Sequence, residues 1–569
     1  MPNHPVAQFP AQPNRDRQGA APAARTLILL ALTICLLHAD DLPTSRVGVG
    51  LTETKLTLAE AVEMALKNNL EIDIERTNPI ISRLSIKNAL GAFDPTLHFD
   101  PSFLNNNTPT SSSLQGVNGL LAEKSTGEVL NLRWKTPYYG SSFGLDFDTN
   151  RFTTNSPFAG LSPYYTSRLV VNYTQPLLRD RAIDRERNEL RIRRKNLAIS
   201  ELDFRLKVID VVSRVEQGYW DLVAARQDVT VTSDAVNLAN EQYSRDQRMI
   251  NSGSLAPVEL SAAKAELERR RDAYFASLGS LTEVENNLKS LLTPNRNASL
   301  WSDQVIPLDL KSPVSESIVD VKDAVTQALV KRPELKQLLL RQESNAYDQQ
   351  FAADQTKPQV NFVASYINQG LAGTINTAPN PFAAGFDPLY QRLNELSAAA
   401  GLPPISVVNT GSLPNSIVGG LGTTLSSVFG GNYQSASVGV SVDLTFRNRA
   451  AQSLSAQSAV TGKRLKLEQS RIELLVDVQV RNAVQAIQTA RQRISAAESS
   501  EAAAKDKLES ETRLFQTGES TNFLVLTRQS EYLDARRRTV VAHLESNRAT
   551  ARLEQALGST LSTYHINLQ

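Results

Sequence analysis

The sequence has few of the residues that metal sites and thiol enzymes require. Its 569 residues include one cysteine, Cys35, and five histidines. Because Cys35 lies in an N-terminal apolar run that we expect to be cleaved off, the mature chain has neither a disulfide framework nor thiol redox chemistry. His98, His543 and His565 stand apart from one another and belong to no zinc-binding motif. We therefore expect no metal, no cofactor and no enzymatic activity.

The chain also has a net charge of only +1 and few long apolar runs. Lys and Arg number 60 against 59 acids, so nothing in the composition predicts a nucleic-acid partner. After residue 40 no segment stays apolar for the ~20 residues that a membrane helix needs. Within the first 40 residues, three arginines precede the apolar run Leu27–Leu37. This order predicts a leader over residues 1–39 with a secretory signal peptide. A short buried helix is the alternative.

The chain is internally duplicated. LAEAVEMALKNNLEI at 58–72 and VKDAVTQALVKRPEL at 321–335 share five residues at an offset of 263, which also maps Phe99 onto Phe362. A constant offset over such a length indicates two units with one plan. We predict a linker at 40–55, a first unit at 56–292, a linker at 293–318, a second unit at 319–557 and a tail at 558–569.

Each unit contains alternating sequence of the kind found in strands. In ASVGVSVDLTF (436–446) the apolar residues fall on one face and the small polar ones on the other. Such alternation is typical of a half-buried strand in a soluble sandwich or of a membrane barrel strand. We predict strands near 95–104, 167–176, 359–368 and 434–446. Polar loops at 105–165 and 368–433 interrupt them, and further alternation in the first loop allows an extra hairpin.

Long helical runs follow the strands. Apolar residues recur every seven positions from Val208 to Ile250, which favours coiled-coil packing. We predict helical hairpins at 184–292 and 450–557, turning at Gly253 and Gly518. A continuous helix up to Ile250 spans ~100 Å. Because small membrane barrels begin at about eight strands, two pairs of strands close a barrel only if several chains contribute.

In this order the segments are similar to the TolC-like outer membrane efflux protein family. The resemblance covers about 55–557 and rests on LAEAVEMALKNN, GAFDPTLHF (91–99), YTQPLLRD (173–180) and NSGSLAPVELSAAKAELE (251–268). It implies an internally duplicated α+β membrane protein in the bacterial outer membrane. It also implies a homotrimer. Each chain of the trimer gives four strands to a 12-stranded β-barrel, which is continued into the periplasm by a coiled-coil α-barrel. Its partners are outer membrane lipid, a periplasmic adaptor (membrane fusion) protein and an inner membrane transporter.

The resemblance also carries site residues. The hairpin tips that contact the adaptor correspond to Gly253, Ser254 and Leu255 in the first unit and to Gly518, Glu519 and Ser520 in the second. The alternative is that these glycines simply permit a tight turn.

A periplasmic gate is implied near the second tip. Several family members have carboxylates six and nine residues after the second glycine, where this chain has Leu524 and Thr527. Phe523 and Leu524 therefore suggest an apolar constriction, while Glu259 keeps one acid in the first unit. Packing of Phe523 and Leu524 between helices is the alternative.

The function that follows is an exit duct of a tripartite efflux or type I secretion system, which conducts passively from adaptor and pump to the outside. A periplasmic coiled-coil adaptor or scaffold without a pore is the alternative. The absence of Met-rich or His-rich tracts gives no support to metal cargo, and the sequence does not name the pump.

Overall fold

A computed structural model describes residues 46, 49–50, 52–111, 115–254, 256–309, 320–377, 381–405 and 413–568. The predicted signal peptide lies outside them, and so does Leu255. The helices that we number are α1 (Leu58–Asn68), α2 (Leu70–Leu90), α3 (Arg185–Asn251), α4 (Pro257–Leu292), α5 (Val321–Lys331), α6 (Pro333–Gln355), α7 (Pro381–Ala399), α8 (Leu421–Gly430), α9 (Arg449–Thr517), α10 (Asn522–Leu557) and α11 (Thr560–Thr563). The strands are β1 (Glu53–Leu56), β2 (Thr96–Pro109), β3 (Leu120–Lys135), β4 (Ser142–Thr154), β5 (Leu161–Pro176), β6 (Gln304–Pro307), β7 (Gln359–Ile375) and β8 (Tyr433–Asp443).

Two helices are as long as the heptads predicted. Helices α3 and α9 contain 67 and 69 residues, and each returns through a 36-residue helix. At 1.5 Å per residue α3 is about 100 Å long. Its start is set by Asp184, whose side chain accepts from the backbone N–H of Arg187 at 2.8 Å. The heptad residues Val208, Val215 and Leu222 are fully buried, because they face α4 and the short helices beside it.

The largest core lies partway along the first hairpin. There α1, α2 and a two-stranded parallel sheet of β1 and β6 pack against α3 and α4. Tyr219 is fully buried and its hydroxyl donates to the carbonyl of Leu56 at 3.0 Å. The pair β1–β6 was not predicted, since both strands have four residues and lie in or beside segments that we read as linkers.

The main sheet has six strands in the order β2-β3-β4-β5-β7-β8, all antiparallel. The predicted α+β class is confirmed, but four strands per chain is wrong. The extra hairpin in the first polar loop is present as β3 and β4. The other predicted strands exist but β2, β5 and β7 extend further into the loops than expected. The second loop also contains helices α7 and α8, which were not predicted.

The sheet has one apolar and one polar face. Paired residues on the apolar face include Leu97, Phe99, Leu130, Leu132, Trp134, Phe143, Leu145, Phe147, Leu169, Val171, Tyr173, Phe362, Val438 and Val440. The opposite face carries ion pairs between neighbouring strands, namely Arg133 with Asp146 and Arg168 with Asp148. In the described part of the chain no helix has both the length and the apolarity needed to cross a bilayer.

Candidate gate at the helical tips

The two hairpin tips share one geometry. Gly253 and Gly518 adopt left-handed φ values of 75° and 82°, and no atom lies within 4 Å of a Cβ built on either. At the first tip the N–H of Ser254 donates to Met249 at 2.8 Å and that of Gly253 to Ile250 at 2.9 Å. This 6→1 and 5→2 pair defines a Schellman motif, which requires a residue that tolerates positive φ.

The second tip repeats that motif. The N–H of Glu519 donates to the carbonyl of Leu514 at 2.9 Å, and the N–H of Gly518 donates to Phe515 at 3.2 Å. Glu519 is exposed, whereas the hydroxyl of Ser520 donates to Glu511. Thus both predicted tips are turns at the far ends of long helices, with exposed polar groups available to a partner.

The residues predicted to form an apolar constriction lie just beyond the second tip. Phe523 is 72% exposed and Leu524 is 37% exposed, both in the first turn of α10. Within one chain Phe523 therefore does not pack between helices. The hydroxyl of Thr527 donates to the backbone carbonyl of Phe523 at 2.8 Å, so its hydrogen-bond partner lies on its own helix.

A buried polar network joins the two hairpins next to the tips. The amide of Gln242 donates to Asp246 at 2.8 Å and to the side-chain oxygen of Asn522 at 2.7 Å. The amide of Asn522 in turn donates to the other oxygen of Asp246 at 2.9 Å and reaches Glu259 at 3.5 Å. Because Gln242 and Asp246 are on α3 and Asn522 is on α10, the network fastens the second hairpin to the first.

Burial changes the acid in this network. Asp246 has no exposed surface, and burial raises the pKa of its carboxyl above the ordinary value. The hydrogen bonds from Asn522 and Gln242 and the charge of Arg245 oppose this rise in pKa, whereas the nearby carboxylate of Glu259 adds to it. Burying the Asp246 carboxyl is therefore costly unless its amide partners stay in place to donate hydrogen bonds to it.

Ion pairs continue the attachment away from the tips. On the α3–α10 interface Arg536 pairs with Asp234 at 2.7 Å and Arg537 pairs with Asp228 at 2.7 Å. Further along, Arg548 pairs with Asp221. These pairs are partly exposed, so each contributes at most about 1 kcal/mol. The fully buried network at the tip is therefore the strongest polar link among them.

Sequence reasoning found Glu259 but missed Gln242, Asp246 and Asn522. Asp246 and Asn522 are 276 positions apart, so no local spacing connects them. A usable signal existed in the Gln242–Asp246 pair, because an amide and an acid four positions apart share one helix face. Among the described residues, no group of three or more His, Cys, Asp or Glu side chains is arranged to hold a metal.

Known proteins share this architecture. The model of the family described as outer membrane efflux protein matches residues 146–293 and 324–559. The fold is similar to the CmeC outer membrane channel of Campylobacter jejuni, with 15% identity, 88% of this chain and 86% of that chain covered, and a TM-score of 0.58. The fold is also similar to VceC of Vibrio cholerae, with 14% identity, 88% of this chain and 96% of that chain covered, and a TM-score of 0.58. For the MtrE channel of Neisseria gonorrhoeae the identity is 13%, 89% of each chain is covered, and the TM-score is 0.58. No curated protein sequence matches significantly.

Proposed function

Because this chain belongs to the outer membrane efflux protein family, we propose that it is the exit duct of a tripartite efflux or type I secretion system. In this proposal three copies form one passive channel, which receives cargo from a periplasmic adaptor and an inner membrane transporter. The observation that carries the proposal is the pair of ~100 Å helices that join a two-faced sheet to two matching tips.

Family membership confirms several coarser expectations. The chain is an outer membrane efflux channel, its helices lie in the periplasm, and it is not an enzyme. The scaffold alternative, which has no pore, loses its support because the family match extends over both units, including part of the sheet.

The faces of the sheet support a membrane wall around a wet pore. An apolar face on every strand suits lipid, and the opposite face carries charged pairs that need water. Trp134, Phe143, Tyr173 and Phe362 form a row of neighbouring aromatic rings across four strands on the apolar face. Such a row is typical of the girdle at a membrane interface.

The tips support a gate that an adaptor opens. In the closed state the second hairpin is held to α3 by the buried Gln242–Asp246–Asn522 network, and Phe523 and Leu524 line the narrowest opening. An apolar ring of this kind resists wetting. Contact of an adaptor with Ser254, Glu519 and neighbouring tip residues favours the conformation in which the second hairpin moves outward, which is a shift in population.

Single-channel conductance in planar bilayers tests the proposal, with native mass measured on the same sample. We expect a trimer whose closed-state conductance rises when Phe523 and Leu524 are both replaced by Ser. The matched control is Val258→Ser, which removes a 71% exposed apolar side chain from the first hairpin and leaves the conductance unchanged.

The outcomes separate the alternatives. A trimer that conducts equally in both variants would keep the duct and reject the apolar gate. Protein that does not insert into the bilayer, or inserts without conducting, would overturn the duct and restore the scaffold alternative.

A further inference from the structure

The two repeats build different amounts of sheet. In the second repeat β7 pairs directly with β8, with Phe362 opposite Val440. The offset of 263 maps Phe362 onto Phe99 in β2, and β5 takes the place of β8 because each leads into a long helix. Yet β2 does not pair with β5, because the hairpin of β3 and β4 lies between them. The first repeat therefore contains an inserted pair of strands.

The inserted strands belong to the wall of the sheet. All 14 residues of β2 pair with β3, from Thr96 opposite Arg133 to Pro109 opposite Leu120. Strand β4 likewise pairs with β5 from Ser142 to Phe152. A hairpin folded away above the membrane would not pair along the full height of its neighbours.

Aromatic contacts place the inserted strands at the same height as the others. The rings of Tyr173 and Phe362, which belong to strands present in both repeats, have centroids 6.4 Å apart. The row continues onto the insert, with Phe143 4.9 Å from Tyr173 and Trp134 5.6 Å from Phe143. One interface girdle thus runs across inserted and original strands alike.

Both outer edges of the sheet are free. Strands β2 and β8 are exposed along their whole length, and no pairing joins them to each other within the described chain. A free edge with alternating apolar residues invites pairing with another chain. Since β2 leaves a helix and β8 leads into one, they run in opposite directions, as antiparallel pairing requires.

We propose that β8 of each copy pairs with β2 of the next, so that three copies close a barrel of 18 strands. This inference rests on the proposed trimeric duct, and it changes the number of strands in the barrel at the exit of that duct. The resemblance of the sequence implied 12 strands, whereas six strands in each of three copies make 18.

The helices next to the sheet fit that number. There each copy presents four helices, α2, α3, α6 and α9, each joined to a strand directly or through a short connection. Twelve helices spaced about 9 Å apart form a tube roughly 110 Å in circumference. Eighteen strands spaced about 4.8 Å apart and tilted by about 40° also give roughly 110 Å, so a barrel of 18 strands continues the tube without a change in width. The 18-stranded exit is then about as wide as the helical tube, so the tips rather than the barrel limit passage.

The repeat also predicts the register between copies. In one chain Asn172 of β5 is opposite Ser365 of β7. An offset of 269 brings the apolar residues Leu169, Val171 and Tyr173 of β5 onto Val438, Val440 and Val442 of β8. It maps Asn172 onto Ser441, and the offset of 263 maps Ser365 onto Ser102. We therefore expect Ser441 of one copy to lie opposite Ser102 of the next, both on the polar face.

Disulfide trapping tests the strand order in the full-length chain with Cys35→Ser. The S102C/S441C variant is expected to give disulfide-linked dimers and trimers. S102C/G127C is expected to give a disulfide within one chain, because Ser102 and Gly127 are paired across β2 and β3. In a 12-stranded barrel β2 would instead meet β5, and the repeat then places Ser102 opposite Arg168.

The decisive comparison is S102C/G127C against S102C/R168C, read as linked peptides by mass spectrometry after trypsin cleavage at Lys124. Efficient linkage of the first pair and none of the second would support 18 strands. Linkage of S102C to R168C in a native trimer would overturn the strand number and leave the duct intact. A monomer by native mass, without S102C/S441C links between chains, would overturn the duct itself and the barrel with it.

Discussion

Replacing Asn522 with Ala is expected to open the channel, because Asn522 is the only residue of the second hairpin in the buried tip network described above. Its side chain accepts from Gln242 at 2.7 Å and donates to Asp246 at 2.9 Å. Removing it leaves a buried amide and a buried carboxyl oxygen short of a partner in the closed state. In the open state water satisfies both groups, so the cost falls on the closed state alone.

The magnitude follows from those two hydrogen bonds. A bond to a charged group contributes about 1.5–3 kcal/mol and a neutral one about 0.5–1.5 kcal/mol, so the closed state loses roughly 2–4.5 kcal/mol. Since 1.4 kcal/mol is a factor of ten, the ratio of open to closed channels rises by roughly 30- to 1,600-fold per chain. Single-channel recording of open probability measures this directly.

The matched control is Thr539→Ala on the same helix, away from the tip. The hydroxyl of Thr539 donates to the backbone carbonyl of Ala535 at 3.3 Å, so its loss does not affect the attachment of the two hairpins. We expect open probability close to that of the unmodified channel. Equal open probability in Asn522→Ala and Thr539→Ala would refute the reasoning that the network holds the closed state.

Two further predictions concern stability, measured by thermal or urea unfolding. Burial, and then the charge of Glu554, raise the pKa of Glu216 to about 8 from 4.5; the folded state therefore holds a proton that the unfolded state releases, and stability falls as pH rises from about 4.5 to 8. Glu216→Gln is expected to reduce that slope and to stabilise the protein at pH 8 by a few kcal/mol; the part of the slope that comes from Glu554, whose pKa burial also raises, remains. Glu241→Gln on the exposed side of the same helix leaves the slope unchanged, and an unchanged slope in Glu216→Gln would contradict this prediction. Gly518→Ala is expected to destabilise the tip by about 1–2 kcal/mol because Ala is strained at positive φ, whereas Gly279→Ala, inside α4 with open space around it, stabilises by up to about 1 kcal/mol; effects of the same sign would be inconsistent with strain.

Much of the helical part was predictable because its signals are periodic. In a coiled coil, buried heptad residues such as Val208, Val215 and Leu222 face the neighbouring helix every two turns. The sequence shows that seven-residue spacing without the structure. The turns at Gly253 and Gly518 were predictable for a similar reason, since a helix reversal of this kind needs a residue that adopts positive φ. The role of Phe523 and Leu524 as a gate stays a prediction.

The strand count was not predictable in the same way. The residues around Leu130 and Phe147 alternate, but alternation does not say whether a hairpin joins the sheet or projects from it. That outcome depends on pairing between β3 and β2 and between β4 and β5, which brings together residues distant in the chain. The four-residue strands β1 and β6 were missed because their pairing spans about 250 positions.

The sequence by itself thus determined the duplication, the long coiled-coil hairpins, their glycine tips and the two-faced strands, because each depends on residues close together along the chain. Only the tertiary structure decided the six-stranded sheet and the network of Gln242, Asp246 and Asn522. Both depend on hydrogen bonds between segments far apart in sequence, and which distant segments meet is set by the packing of the whole chain, not by any local period.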